Sequence, residues 1–278
     1  MSIRVKLINA DDVLKEALET YDTNYEGIFI DWIPSNSKDL KNAEKIITQT
    51  NILEDAIKKS IKIILFDRHQ SITQKETTWI KKHKNVILCE PALRTRAGFT
   101  YMPFWTKILS INDLRIDDHK RDITFLHCGE ISSKMKSFEK FYNLYKSCFG
   151  DAVLSYNTED KNQIEIFEQN FSYLNHSTKT YNDAKYTIAF GSENDYKVGY
   201  LDYHIFEAMK MNCVPFIPDD HRYYHALPHL TPKSITWYTM EYENVYIGLL
   251  LDFYDAIKKY YPEMDVESVK NQIDKLLE

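Results

Sequence analysis

Glycine is scarce in this 278-residue chain, at seven residues, and none of its four cysteines stands at metal-binding spacing. Cys89, Cys128, Cys148 and Cys213 form neither a CxxC nor a CxxH pair, which argues against a zinc site. Three of them lie beside or within apolar runs, where free cysteine packs as a small hydrophobe. Nowhere do eighteen apolar residues run together, so no segment reads as a membrane-spanning helix. The opening "MSIRVKLINADD" has no apolar stretch of the secretory kind. The chain is therefore expected to be soluble and cytoplasmic. Positive charge is not in excess either. The net charge is −6, so contact with nucleic acid would need a local basic face. There is no internal repeat or low-complexity tract.

What is present is a core-forming composition, 44% hydrophobic, in a length suited to one large or two modest domains. Lys, Asn, Ile and Tyr are abundant, a bias common in AT-rich genomes that include many phages. Apolar strand-like runs alternate with helix-period segments. "RVKLIN" (4–9), "EGIFIDWIP" (26–34), "IKIILFD" (61–67) and "NVILCEP" (85–91) are each separated by a helical pattern. Segment 94–121, with Gly98, Pro103 and a charged, poorly periodic tail, reads as a domain link. Alternation resumes with "DITFLHCGE" (122–130), a helix over 133–148 and "AVLSYN" (152–157). A helix near 161–169, "FSYLN", a short helix near 180–184, "YTIAFGS" (186–192), the helix and strand of 200–220 and "SITWYT" follow. The end, 241–278, reads as two helices.

A repeated βα pattern predicts parallel sheets. The expected architecture is α/β, with two Rossmann-like doubly wound parallel-sheet domains facing a cleft. The first covers 1–110, the second 111–240, and the helices of 241–278 are expected to cross back to the first domain. In open α/β sheets ligands bind beyond the carboxyl ends of the strands. The residues placed there are Asp31, Asp67, Glu90, Gly129–Lys136, Ser192–Gly199 and Asp219–Asp220.

Three stretches carry a family resemblance. "DITFLHCGEISSKMKSFEKF" is similar to a strand, glycine loop and lysine preceding a helix. "YTIAFGSENDYKVGYLDYHIFEAMKMNCVPFIPDD" resembles a strand, loop and "R-x-x-E-A-(hydrophobic)-x-x-G-x-x-P" unit. "TYMPFW" resembles the end of an acceptor domain. Together, over about 150 residues, they resemble a small GT-B glycosyltransferase, whose two domains hold a nucleotide sugar between them. The resemblance implies that Glu207 accepts hydrogen bonds from the donor ribose, a task suited to a carboxylate with two acceptor oxygens. It also implies a UDP-linked donor, and no required metal because helix dipole and basic side chains neutralise the leaving diphosphate. His204 is expected near the diphosphate or nucleobase, and Ser192 and Tyr203 near the donor. Gly129, Ser133 and Lys134 either cradle the diphosphate or form an ordinary turn capped by Ser133. Lys134 and Lys136 are not separable here.

Asp31 is the expected catalytic base, with Asp67 and Glu90 behind it, unless it opens a turn or caps a helix. Arg94, Arg96 and Lys107 interleave with Phe99, Tyr101, Phe104 and Trp105. They form either a surface that tracks a nucleic-acid backbone or a packed hinge. The composition and size resemble T-even-type phage enzymes that glycosylate 5-hydroxymethylcytosine in double-stranded DNA, which implies base flipping. The alternatives are a surface polysaccharide or lipid-linked glycan as acceptor, or a non-catalytic nucleotide-binding α/β protein. Three departures from the family pattern stand out. His204 replaces an arginine, Asn212 or Cys213 replaces a glycine, and Gly199 or Tyr200 replaces the first glutamate of the retaining-type pattern.

Overall fold

The pure apolar runs form strands, and the strands are parallel. The computed structural model describes residues 3–10, 15, 18, 22–23, 26–34, 40–105, 121, 123–128, 135–149, 154–157, 173–175, 179–188, 190–218, 221, 224, 226–227, 229–230 and 245–278. The chain divides into two compact units. Unit 1 is Met1–Lys107 with Glu263–Glu278, and unit 2 is Ile108–Pro262. The helical end of the chain is thus split between them near residue 262. Among the described residues, no helix is long and apolar enough to cross a membrane.

In unit 1, β1 (Ile3–Arg4) pairs antiparallel with β3 (Asp22–Thr23) as a separate ribbon. The main sheet runs β2 (Lys6–Ile8), β4 (Gly27–Asp31), β5 (Lys62–Phe66), β6 (Val86–Glu90) and β7 (Thr100–Tyr101), all parallel and in sequence order. Right-handed crossovers between strands added in one direction put their helices on one face. Accordingly α1 (Leu40–Lys58) and α2 (Gln74–Ile80) share one core: Leu53, Ala56 and Ile80 pack with Ile28, Ile30, Ile63, Leu65 and Leu88.

Alternate strand residues point the other way, and Phe29, Ile64, Phe66 and Cys89 are fully buried there as well. The segment 102–105 and a helix from the end of the chain cover this second face. Phe104 and Trp105 pack their rings on Phe66 at 5.5 and 6.0 Å, and Trp105 meets Phe29 at 6.2 Å. Residues 94–105 are therefore part of unit 1's core and not a link. The last helix, α7 (Val266–Leu277), buries Val266, Val269, Ile273 and Leu277 at helical spacing. Its Gln272 amide donates to the Tyr101 carbonyl at 2.6 Å. Gly27 lies under Leu277 so closely that a Cβ there would sit 2.5 Å from the leucine side chain.

Unit 2 contains β8 (Ile123–Cys128), α3 (Met135–Phe149), β9 (Leu154–Asn157), β10 (Tyr173–Asn175), β11 (Ala184–Ile188), α4 (Glu193–Val198), α5 (His204–Lys210), β12 (Val214–Pro218), β13 (His229–Leu230) and α6 (Val245–Tyr260). A 3-10 turn, Tyr181–Asp183, leads into β11. The sheet order is β10-β9-β8-β11-β12-β13, parallel throughout. Numbered by appearance, these strands read 3-2-1-4-5-6, the Rossmann order, whose winding reverses between the first and fourth strands. No such reversal occurs among the described strands of unit 1. The helix expected near 161–169 and the strand "SITWYT" lie outside the described residues.

Because α7 seals a sheet face that neither α1 nor α2 covers, Ile273→Ala should destabilise unit 1 by about 2–4 kcal/mol. Ile47→Ala, at a 62% exposed position on α1, should stay within about 0.5 kcal/mol. Urea denaturation of both variants checks this. Equal effects would show that α7 does not close the core.

Candidate functional site

The winding of unit 2 reverses between β8 and β11, and open α/β sheets hold ligands beyond the carboxyl ends of strands at such a point. Five rings wall one face of these strands. Phe190 meets His127, Phe138 and Phe141 at 5.0, 5.3 and 5.6 Å, and Phe141 meets Phe125 at 5.6 Å. Gly129, Ser133 and Lys134, in the loop that follows β8, lie outside the described residues, as do Asp219 and Asp220. Lys136, in the first turn of α3, pairs with Glu193 at 2.7 Å in an exposed contact.

After β11 the chain makes a sharp turn. The Gly191 amide donates to the Tyr196 hydroxyl at 3.0 Å. Ser192 caps α4: its hydroxyl accepts from the Asp195 amide, and the Asp195 carboxylate accepts from the Ser192 amide. Ser192 thus forms a capping box, which satisfies amides that the helix leaves free. Gly199 ends α4 in the left-handed conformation, φ 70°. A glutamate would be strained there, which accounts for the missing first glutamate of the retaining pattern.

α5 carries the polar pair. His204 Nδ1 lies 2.8 Å from Glu207 Oε2, with side-chain exposures of 24% and 30%. The His204 amide donates to Asp202 Oδ1 at 3.2 Å, and the Tyr203 ring lies 4.2 Å from the imidazole. The helix ends in a reciprocal cap: Cys213 N–H bonds Ala208 O at 2.8 Å, and Asn212 N–H bonds Met209 O at 2.9 Å, with Asn212 at φ 53°. This is a Schellman motif, and Asn is the best substitute for Gly at its left-handed position. The departure from the family's glycine therefore leaves the local backbone requirement intact.

Glu207 stands close to the end of β8. Burial, followed by the carboxylates of Glu207 and Asp183, pushes the Cys128 thiol up to about 12. A thiol so held stays protonated at neutral pH and is no nucleophile. Tyr181, buried and raised first by desolvation, donates its hydroxyl to the Cys128 carbonyl at 3.4 Å. The base of α5 is fixed by Arg121, a buried residue that no motif or spacing marks in the sequence. Its guanidinium donates to the carbonyls of Tyr181 (3.0 Å), Ala184 (2.7 Å) and Met211 (2.7 Å). His221 and Tyr224 were likewise not singled out. His221 Nε2 meets the Tyr200 carbonyl at 2.8 Å, and the Tyr224 hydroxyl donates to the Gly199 carbonyl at 3.1 Å, which pins the turn before α5.

In unit 1, the three candidate carboxylates all stand at carboxyl ends of strands, and all are engaged by arginine. Asp31 accepts from Arg68 on both oxygens, at 3.0 and 2.5 Å, in a buried pair. Asp67, fully buried, accepts from the Ser71 and Ile72 amides at 2.8 Å and from Arg96 Nη2 at 2.6 Å. Glu90, also fully buried, accepts from Arg96 Nε at 2.7 Å and from the Arg96 amide. Arg96 Nη1 donates to the carbonyls of Gln70 and Ile72, and its guanidinium lies 4.0 Å from the Phe99 ring. Every nitrogen of that guanidinium is used inside the unit. The expectation of Arg96 as an acceptor-binding residue gives way to a structural role, and Phe99, Phe104 and Trp105 are buried core instead of a stacking surface. Arg94 remains exposed.

Removing one partner of a buried ion pair leaves an uncompensated charge. Arg96→Met should therefore cost about 3–5 kcal/mol of unit 1 stability in urea denaturation. Arg94→Ala, at an exposed position, should change it by less than about 0.5 kcal/mol. Near-equal, small effects would return Arg96 to the surface role expected from the sequence.

No protein-family model matches this chain, and neither does any curated protein. Among solved structures it is similar to TarM, at 11% identity over 91% of this chain and 54% of that one, with a TM-score of 0.48. A glycosyltransferase from Rickettsia africae ESF-5 is similar at 8% identity over 91% of this chain and 89% of its own, with a TM-score of 0.49. MurG from Acinetobacter baumannii is similar at 12% identity over 90% and 73%, with a TM-score of 0.32. This chain spans about half the length of the TarM chain.

Proposed function

We propose that this protein is a glycosyltransferase that binds a UDP-linked sugar at the winding reversal of unit 2 and passes the sugar to a hydroxyl acceptor. The observation that supports this most is the 3-2-1-4-5-6 strand order, since sheets so wound commonly hold nucleotides beyond the strand ends where the winding reverses, here those of β8 and β11. The β8 loop carries Gly129, Ser133 and Lys134, residues suited to a diphosphate: backbone amides and an ammonium at the start of a helix. Glu207, half-exposed and near the end of β8, has a carboxylate oxygen available for a ribose hydroxyl. In the transfer the bond from the sugar's anomeric carbon to the diphosphate oxygen breaks, and the diphosphate leaves with the electron pair. The acceptor oxygen bonds to that carbon and releases its proton to a base. The leaving charge is stabilised by fixed dipoles and cations, so the residues present suit a mechanism without a metal.

Two features of unit 1 favour a surface polysaccharide or lipid-linked glycan over 5-hydroxymethylcytosine in DNA as acceptor. Arg96 is committed to Glu90 and Asp67, and the aromatic residues around it are buried.

Glu207→Ala should weaken UDP-glucose binding by about 1.5–3 kcal/mol, the worth of hydrogen bonds to a charged group, with the fold unchanged. Calorimetry on the folded variant measures it, and unaltered affinity would remove Glu207 from the site. Asp31→Asn separates two roles for that residue. As the base, Asp31 would leave stability intact while turnover fell by about 10² to 10⁴. As Arg68's partner it holds the unit together, and the buried pair favours a loss of stability with turnover retained in the folded fraction. Transfer assays on glycan acceptors and on hydroxymethylated DNA decide the acceptor.

A further inference from the structure

We propose that Glu207 acts through His204, and that the His204 Nε2–H binds a phosphate of the donor, so that nucleotide-sugar binding requires the protonated imidazole. The inference rests on the reading of unit 2 as a nucleotide-sugar site and adds to it a proton-dependent contact. A carboxylate accepts hydrogen bonds and has none to give, so the imidazole nitrogen that faces Glu207 Oε2 at 2.8 Å must carry hydrogen. Nδ1 is therefore the protonated nitrogen of the neutral ring, and Nε2 is the nitrogen left to a ligand. In the neutral ring Nε2 offers a lone pair, which repels phosphate oxygen. In the cation it offers N–H, which makes a charge-assisted bond.

The ring is held for this task. The Tyr203 ring lies against it, and Asp202 accepts the His204 amide. Among the described residues, neither His204 Nε2 nor Glu207 Oε1 has a hydrogen-bond partner, while both side chains are about one-quarter exposed. The dyad thus presents one cationic donor and one carboxylate oxygen side by side, which fits a phosphate beside a ribose hydroxyl.

The titratable groups around the dyad come from the elements packed on α5, of which β11 contributes Lys185 and the buried Tyr186. Lys210 lies at the far end of the helix itself, and Asp202 and Tyr203 precede it. The 3-10 turn contributes Tyr181 and Asp183, the latter paired with Lys179 at 3.2 Å. Cys128 closes β8, and Cys213 precedes β12. Arg121 is spent on three carbonyls at the base of the helix. Imidazole is the group in this set that changes charge between about pH 5 and 8.

The sign follows directly. Binding takes up a proton, so affinity is greatest at low pH and falls as pH rises. UDP-glucose is the probe, because its diphosphate holds a fixed charge across this range. Calorimetry between pH 5.5 and 8 should show the dissociation constant rising with pH, by up to about tenfold per pH unit. His204→Gln should bind weakly at every pH, and His204→Lys should keep low-pH affinity at pH 8. Nitrogen-resolved imidazole NMR of the unaltered protein, which needs no variant, should place the neutral ring's hydrogen on Nδ1. Hydrogen on Nε2, or affinity independent of pH, would overturn this inference while leaving the nucleotide-sugar site standing. No binding of UDP-, GDP- or ADP-glucose at pH 5.5 would overturn both.

Discussion

A parallel sheet has no face that tolerates water along its length, and both units of this protein are organised by that requirement. Unit 2 meets it through winding: its strand order reverses, so successive crossovers cover opposite faces. Unit 1 adds its strands in one direction, and α1 and α2 fall on the same side. The opposite side, with Phe29, Ile64 and Phe66, would lie open without the segment 102–105 and α7. The two solutions have different functional outcomes. Reversal leaves a crevice at the strand ends of unit 2, whereas unit 1 fills its strand ends with Asp31, Asp67 and Glu90 locked to Arg68 and Arg96.

Much of the scaffold was legible in the sequence because fully buried strands have no polar face to confuse the pattern. "GIFID", "KIILF" and "VPFIP" are strands in the structure with few shifts in boundary. The segment 94–105 was misread because Gly98, at φ 84°, and alternating charges look like a linker. Its apolar residues, Phe99, Met102, Phe104 and Trp105, follow no helical or strand period, and burial there is decided by the sheet they cover. The two terminal helices were legible as helices, but periodicity reports which side of a helix is apolar and not which sheet will receive it. Hence α6 belongs with β12 and α7 with β5.

The polar sites were legible to a different degree. His204 and Glu207 are three residues apart on a helix, a spacing that brings side chains together, yet they were read as separate ligand contacts instead of one pair. The arginine partners of the three carboxylates were not legible. Asp31 and Arg68 are 37 residues apart, and Asp67 and Arg96 are 29 apart. Only the register of neighbouring strands brings them together. Sequence order places a charged residue at a strand end, and the fold decides whether it faces a ligand or a guanidinium.

The return of α7 to unit 1 also bears on how the chain is made. Unit 2 is inserted between two parts of unit 1, so a ribosome completes all of unit 2 before it supplies residues 263–277. Unit 2 can close around contacts made within one continuous stretch. Until then unit 1 lacks α7 and the cover that α7 gives Gly27 and β5, an aggregation-prone intermediate of the kind chaperones bind. α7, the last element to be made, is thus what completes the sheet that is made first.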